Sequence, residues 1–83
     1  MAGTIHEWRE LNDDGEFRFV RASKHGKIWV VRSKLKSEEH WTTHDPVDLA
    51  DLKYLRDLLQ RKYQRRRASY EDVQQIDDLI AGR

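Results

Sequence analysis

The sequence predicts an α+β fold: an antiparallel meander of three or four strands, followed by two C-terminal helices packed on one face of it. Three observations lead to this class. Apolar and polar side chains alternate over residues 16–22, as in a half-buried strand. The single proline follows Asp45, a combination typical of a helix start. Beyond it, leucines recur every three or four residues, which indicates a helix with one apolar face.

The first half of the chain, residues 1–44, holds the predicted strands. Turn signals at 12–15 and 24–26 bound the strand 16–22 on both sides. The run 27–33 is β-branched and aromatic, and it lies close enough to form a hairpin with the preceding strand. Weaker strands are predicted for residues 5–11 and 40–44, which contribute Trp8 and Trp41.

The predicted hairpin has a three-residue loop that ends in Gly26. This loop places Phe19 opposite Val31, and Arg21 opposite Trp29. One face of the sheet, the predicted core face, then carries Phe17, Phe19, Trp29, Val31 and Leu35. The other face carries Val20, Ala22, Ile28 and Val30. Both faces would therefore hold apolar side chains, so the second is either covered by the rest of the chain or open to a partner.

The first helix is expected to begin at Asp45 and Pro46. An aspartate side chain can accept the unpaired amide hydrogens of the first turn, and proline lacks the donor that would go unused there. Asp48 favours the positive end of the helix dipole. The predicted core stripe of this helix is Leu52, Leu55, Leu58, Leu59 and Tyr63, opposite Lys53, Arg56, Asp57, Gln60 and Gln64.

The second helix is expected to begin at Ser69 and to end at Gly82. Ser69 and Asp72 resemble a capping box in which aspartate replaces glutamate. Apolar residues then recur at helical spacing, at Val73, Ile76, Leu79 and Ile80. A helix of about a dozen residues is marginal alone, so we expect it to dock on the sheet or on the first helix.

Composition indicates one small folded domain over residues 1–83, with a sheet half at 1–44 and a two-helix half at 45–83. Charged residues make up 37% of the chain, which alone would suggest disorder, but eight aromatic residues lie in periodic contexts. There is no cysteine, so disulfides and thiolate metal sites are excluded. The absence of cysteine suits a reducing compartment, so we expect a cytoplasmic protein. No membrane segment is expected, because no run of roughly 20 apolar residues occurs.

Basic residues cluster between the two helices. Residues 61–67 carry five basic groups and no acidic group, whereas 68–83 carry one basic and four acidic groups. Guanidinium groups beside an aromatic side chain suit phosphate contacts and base stacking. The alternative interpretation is that cations offset the negative end of the helix dipole, with Glu71 and Asp72 immediately downstream.

Catalytic and metal chemistry is not predicted. His40 and His44 are four residues apart, but in a strand their rings would lie roughly 13 Å apart, too far to share a metal. His6 and His25 are expected at the surface or in a turn. The acid pairs at 13–14 and 77–78 come with no nucleophile, buried base or glycine-rich loop. We therefore predict no enzyme activity, no cofactor, no metal and no small-molecule substrate.

The sequence thus predicts a small binding module whose partner is another protein or a second copy of the chain. The residues expected to bind this partner are Val20, Ile28, Val30, Trp8 and Trp41. The alternative partner is nucleic acid, bound by the basic cluster and by basic strand residues. That set comprises Arg61, Lys62, Arg65, Arg66, Arg67, Arg18 and Arg32.

Overall fold

The computed structural model describes residues 5–82 and confirms the predicted α+β class and element order. The chain divides into two compact units, one ending at Pro46 and the other beginning at Val47. The first unit holds the strands and the second holds the helices. The elements are β1 (Ile5–Leu11), β2 (Phe17–His25), β3 (Ile28–Leu35), β4 (Thr42–His44), α1 (Leu49–Gln64) and α2 (Tyr70–Ala81).

The four strands form one antiparallel sheet in the order β1-β2-β3-β4, so each strand pairs with its neighbour in sequence. Asn12 organises the connection between β1 and β2. Its side-chain oxygen accepts the backbone N–H groups of Asp14 and Glu16 at 3.0 and 2.9 Å. Gly15 has a φ of +78°, in the region that glycine adopts without steric cost. The predicted turn at 12–15 is therefore confirmed.

The β2–β3 hairpin has a two-residue turn, Gly26-Lys27, between the paired residues His25 and Ile28. Gly26 has a φ of +63°, which the first central position of a type II′ turn requires. Such turns match the twist of the flanking strands and are common in hairpins. The predicted three-residue loop is thus wrong, because both strands extend further toward the turn than the sequence pattern indicated.

The shorter turn changes the pairing of β2 with β3. Arg21 pairs with Arg32, three positions along from the predicted Trp29. The other predicted pair is displaced by the same three positions, since Phe19 pairs with Lys34 and not with Val31. Because side chains alternate between the two faces of a strand, an odd shift exchanges the faces of one strand relative to the other.

The sheet consequently has one buried face and one open face. The buried side chains all lie on the same face: His6, Trp8, Val20, Ala22, Trp29, Val31 and Ser33. The opposite face, called the outer face below, carries Ile5, Glu7, Arg9, Leu11, Phe17, Phe19, Arg21, Ser23, Ile28, Val30, Arg32 and Lys34.

This arrangement corrects the predicted faces of β2. Phe17 and Phe19 were expected in the core with Trp29, but they lie half-buried on the outer face. Val20 and Ala22 were expected to point away from the core, but they are 1% and 0% exposed. The side chains of β2 alternate as predicted. The wrong register only exchanges the faces on which the odd-numbered and even-numbered side chains of β2 lie.

Helix α1 begins later than predicted. Asp48, not Asp45, is the N-cap, with φ and ψ of −59° and 139°. The carbonyl of Asp48 accepts the N–H of Leu52 at 3.0 Å, which is the first bond of the helix. Pro46 lies before the helix. Asp45 and Asp48 are both favoured capping types, and sequence alone does not distinguish between them.

Helix α2 begins as predicted. Ser69 is the N-cap, with an extended backbone, and its hydroxyl oxygen accepts the N–H of Asp72 at 3.2 Å. Gly82 is the C-cap. Helix α2 packs against α1, which confirms that it docks on a neighbouring element.

The buried residues of the helical unit come largely from the predicted stripes. Leu52, Leu55, Leu59, Val73 and Ile76 are each at most 2% exposed. Four predicted core residues are not buried: Leu58 and Ile80 are half-buried, and Tyr63 and Leu79 are 41% and 44% exposed. Helical spacing predicts the direction of a stripe but not its width. Tyr63 instead packs its ring against Tyr70, with centroids 5.8 Å apart.

Candidate functional site

Five basic residues, called the helix-end cluster here, lie in and just after the last turn of α1: Arg61, Lys62, Arg65, Arg66 and Arg67. The chain leaves the helix through a Schellman turn. In it, the N–H of Arg66 donates to the carbonyl of Tyr63 at 2.9 Å, and the N–H of Arg67 donates to that of Lys62 at 2.6 Å. Arg66 has a φ of +60° at the position where glycine is usual.

Four of these cations surround one pocket of about 320 Å³. Its lining consists of Arg61, Lys62, Arg65, Arg67 and Leu58, without a carboxylate. The pKa of Lys62 is lowered because burial disfavours its charged form, and the positive charge of Arg67 lowers it further. Burial disfavours a charge of either sign, but the repulsion between Lys62 and Arg67 favours an anion in the pocket.

Within the described part of the chain, no acid neutralises the arginines of the cluster. Across residues 5–82, no ion pair involves Arg61, Arg65, Arg66 or Arg67. Elsewhere arginines do find partners, as where Arg56 Nε donates to Asp77 Oδ1 at 2.6 Å. Glu71, in the first turn of α2, accepts a hydrogen bond from Gln75 at 3.2 Å. Within the described residues, these four arginines therefore retain their capacity to bind an external anion.

A second concentration of cations lies on the outer face of the sheet, around Phe19. The strand pairing sets Arg9 of β1 opposite Phe19, and Lys34 of β3 opposite it on the other side. The next row across the sheet sets Arg21 beside Arg32. The Phe19 ring on the central strand β2 is thus flanked by positive side chains from both neighbouring strands.

Three aromatic rings of this region each lie close to a cation. The Arg9 guanidinium carbon is 4.8 Å from the centroid of the Phe17 ring. Arg21 lies 4.8 Å over the Trp41 ring, and Lys34 Nζ is 5.9 Å from the Phe19 centroid. These distances are typical of cation–π contacts, which orient the cations over the rings.

The outer-face pocket, of about 430 Å³, opens beside these groups. Its lining includes Arg9, Phe19, Lys34 and Trp41, together with Glu7. The three aromatic rings Phe17, Phe19 and Trp41 are each half-buried, so part of each ring remains accessible. The pocket therefore offers aromatic surface with cations at its rim.

The residues predicted to bind a protein partner do not form one surface. Val20 and Trp8 are buried, at 1% and 9% exposure, on the face opposite to Ile28 and Val30. The expectation that Val20 shares a face with Ile28 is wrong, for the register reason given above. Ile28 is 68% exposed, and Trp41 is half-buried beside the outer face.

The predicted nucleic-acid residues of the strands are also separated. Arg32 lies on the outer face, where its Nε donates to Thr43 Oγ1 at 3.2 Å. Arg18 lies on the same face as Val20 and forms a 2.7 Å ion pair with Glu10. Four residues of the helix-end cluster share one pocket, whereas Arg18 and Arg32 lie on opposite faces of the sheet.

Sequence reasoning missed the principal residues of the outer face. Arg9, Phe19 and Lys34 were not proposed as a group, because the predicted register buried Phe19. The alternation over 16–22 does show that Phe17 and Phe19 share one face of the strand. Had the turn at Gly26 been assigned two residues, the same alternation would have placed Phe19 and Lys34 side by side on the open face.

The histidines do not assemble a metal site within the part of the chain that the structure describes. His6, expected at the surface, is 1% exposed and stacks on Trp29, with ring centroids 5.9 Å apart. The surface expectation is wrong because β1 places His6 on the buried face. His44 Nε2 hydrogen-bonds the hydroxyl of Ser33 across the β3–β4 pair at 2.5 Å, while His40 is exposed.

Neither described helix combines the length and the apolar character that crossing a bilayer requires. Comparison with protein family models, with curated proteins and with solved structures gave no match.

Proposed function

We propose that this chain is a non-enzymatic module that binds nucleic acid through the helix-end cluster. The observation that carries the proposal is a set of arginines that have no ion-pair partner in residues 5–82 and lie beside a pocket lined by cations and Leu58. Guanidinium groups bind phosphate oxygens through paired hydrogen bonds and stay charged at any physiological pH. The phosphate backbone supplies the matching anions.

The charge distribution supports a local site rather than a general affinity for polyanions. The whole chain has a net charge of only +1. Long-range attraction is therefore weak, and binding should depend on the few phosphates that reach the cluster. Each of these contacts releases counterions, so affinity should fall as salt rises.

The test is a fluorescence anisotropy titration of a labelled oligonucleotide between about 50 and about 200 mM salt. We expect the double variant R65A/R67A to bind more weakly and to show a shallower salt dependence. The slope of log affinity against log salt should fall by about 0.9 for each phosphate of duplex DNA that is no longer neutralised. Arg66 is left unchanged because its φ of +60° couples any substitution there to backbone strain.

The matched control is K27A/K53A, which removes the same charge from two exposed positions outside the cluster. This control should bind like the unsubstituted chain. Equal loss in both double variants would show that net charge alone governs binding and would overturn the proposed site. Absence of binding at about 50 mM salt would end the nucleic-acid proposal.

Protein interaction, including self-association, is the second candidate, and one observation favours it. Ile5, Leu11 and Ile28 of the outer face are 54%, 62% and 68% exposed. Ile5 and Ile28 lie toward the same end of the sheet, and adjoining apolar side chains left in water are typical of interaction surfaces. Light scattering at micromolar concentration tests self-association, which the variant I28S should weaken. A monomer at all concentrations would remove self-association as a function.

A further inference from the structure

We propose that the outer-face pocket is a binding site for single-stranded nucleic acid. Bases would lie against Phe19 and Trp41, and phosphates would contact Arg9 and Lys34. The site shares no residue with the helix-end cluster, and the two proposals can fail separately. The chemistry that it recognises is an unpaired, planar base attached to a negatively charged backbone.

One row across the sheet sets an aromatic ring between two cations. Antiparallel pairing places Arg9, Phe19 and Lys34 side by side on three neighbouring strands. A ring at the centre of such a row, with a cation on each side, can hold a base while phosphates on either side meet a positive charge. Strands are rigid supports, so this spacing exists before a ligand arrives.

Aromatic rings beside this row provide a surface for stacking. Trp41 lines the same pocket as Phe19. The Phe17 ring lies next to the Phe19 ring, with centroids 6.4 Å apart. Base–aromatic stacking is tolerant of sequence because every base has a π-face. The guanidinium of Arg21, held 4.8 Å over the Trp41 ring, adds another planar group on which a base can stack.

The charge of the outer face favours an anionic partner. The outer-face strand residues include four cations and one carboxylate, Glu7. The Glu7 carboxylate is paired with Arg21 at 3.3 Å. A second copy seated face to face over the pocket would set Arg9 and Lys34 against like charges, which is unfavourable. The occupant that complements the pocket is therefore an anion.

The accessible rings beside the cations favour nucleic acid over an acidic peptide as the occupant. An acidic peptide would satisfy the cations but would not require three accessible rings beside them. A single strand satisfies both, because each nucleotide carries a planar base and a phosphate. Within a duplex the bases are paired and stacked, so rings on an open sheet can reach only unpaired ones. We therefore expect a preference for single strands.

The test compares four ligands by anisotropy: an oligothymidylate of about 12 nucleotides, a duplex of equal length, thymidine monophosphate as competitor, and an acidic peptide of equal charge. We expect the variant F19L/W41L to weaken oligothymidylate binding by at least about tenfold, with an unchanged salt slope. The variant R9Q/K34Q should reduce that slope by about 0.7 for each phosphate of the single strand that is no longer neutralised. The matched control Y54L removes an aromatic ring from α1 and should bind normally.

Tryptophan emission provides a readout that needs no disruptive substitution. Trp8 and Trp29 are both 9% exposed, whereas Trp41 is half-buried beside the pocket. Stacking of a base on Trp41 should quench the emission of the unsubstituted protein. Trp8 also lines the pocket, but its side chain is largely buried. The conservative variant W41F should therefore retain binding and lose most of that quenching. Quenching that persists in full in W41F would contradict the assigned site.

The outcomes distinguish this inference from the proposed function. If R65A/R67A abolishes binding while F19L/W41L leaves it unchanged, the outer-face site is overturned and the helix-end site stands. The reverse pattern supports the outer-face site alone. Tighter binding of the duplex or of the acidic peptide than of oligothymidylate would overturn the inference. So would complete competition by thymidine monophosphate at equal concentration, because a free nucleotide would then be the ligand.

Discussion

The left-handed backbone at Arg66 leads to a prediction that can be worked through from the structure. Arg66 has a φ of +60° in the Schellman turn that ends α1. This conformation costs an L-residue about 1–2 kcal/mol, because Cβ approaches the following carbonyl oxygen. Glycine avoids that cost, but its more flexible unfolded chain loses about 0.5–1 kcal/mol more on folding than alanine does. The variant R66G should therefore be more stable than R66A by about 0.5–1 kcal/mol.

The comparison with R66A is essential because both variants remove the same charge from the C-terminal end of α1. Their difference isolates the backbone term from the interaction with the helix dipole. Urea unfolding followed by circular dichroism at a helical wavelength measures it, and the melting temperature should rise by roughly 4–8 °C per kcal/mol. If R66A proved as stable as R66G, the left-handed conformation assigned to position 66 would be refuted.

Three further predictions concern contacts that hold each unit together. D77N removes the 2.6 Å ion pair with Arg56 and should cost at most about 1 kcal/mol, with the difference vanishing at high salt, because both side chains are about 40% exposed. S69A removes the cap of α2 and should cost about 0.5–2 kcal/mol in urea unfolding. Hydrogen bonds from Ser37 lower the pKa of Glu16 from its ordinary 4.5. The ionised Glu16 carboxylate therefore stabilises the folded state fully above pH 4.5, and this contribution is lost as pH falls through the lower pKa of the folded state. E16Q should therefore flatten the acid limb of a plot of melting temperature against pH.

Each of these predictions has an outcome that would contradict it. An effect of D77N that persisted in about 1 M salt would mean that the loss is not electrostatic. Equal stability of S69A and the unsubstituted chain would mean that the hydroxyl of Ser69 does not cap α2. If E16Q retained the full acid dependence, carboxylates other than Glu16 would be responsible for it.

Local signals in the sequence were sufficient to predict the elements. Alternation marked β2, and Ser69 followed by Asp72 marked the start of α2. These signals are local because hydrogen bonds of caps and turns join residues that are close in the chain. Such signals do not determine the start of α1. Asp45 and Asp48 are both favoured N-cap residues, and only the folded backbone shows that Asp48 is the N-cap.

The assignment of faces needed information that local signals do not carry. One turn at Gly26 separates two registers of opposite parity, and both place apolar side chains on each face. The predicted register put Phe19 inside and Val20 outside, and the structure reverses them. This single error hid the outer-face pocket. The helix-end cluster was found because consecutive residues of like charge stay together in any fold.

The two-residue turn also constrains how this protein can change in evolution. Inserting or deleting one amino acid at Gly26-Lys27 would rotate every side chain of β3 by half a turn relative to β2. Lys34 would then leave the neighbourhood of Phe19, and Val31 would be brought into water. Descendants of this sequence should therefore vary freely in the identity of Lys27 while preserving the length of the connection.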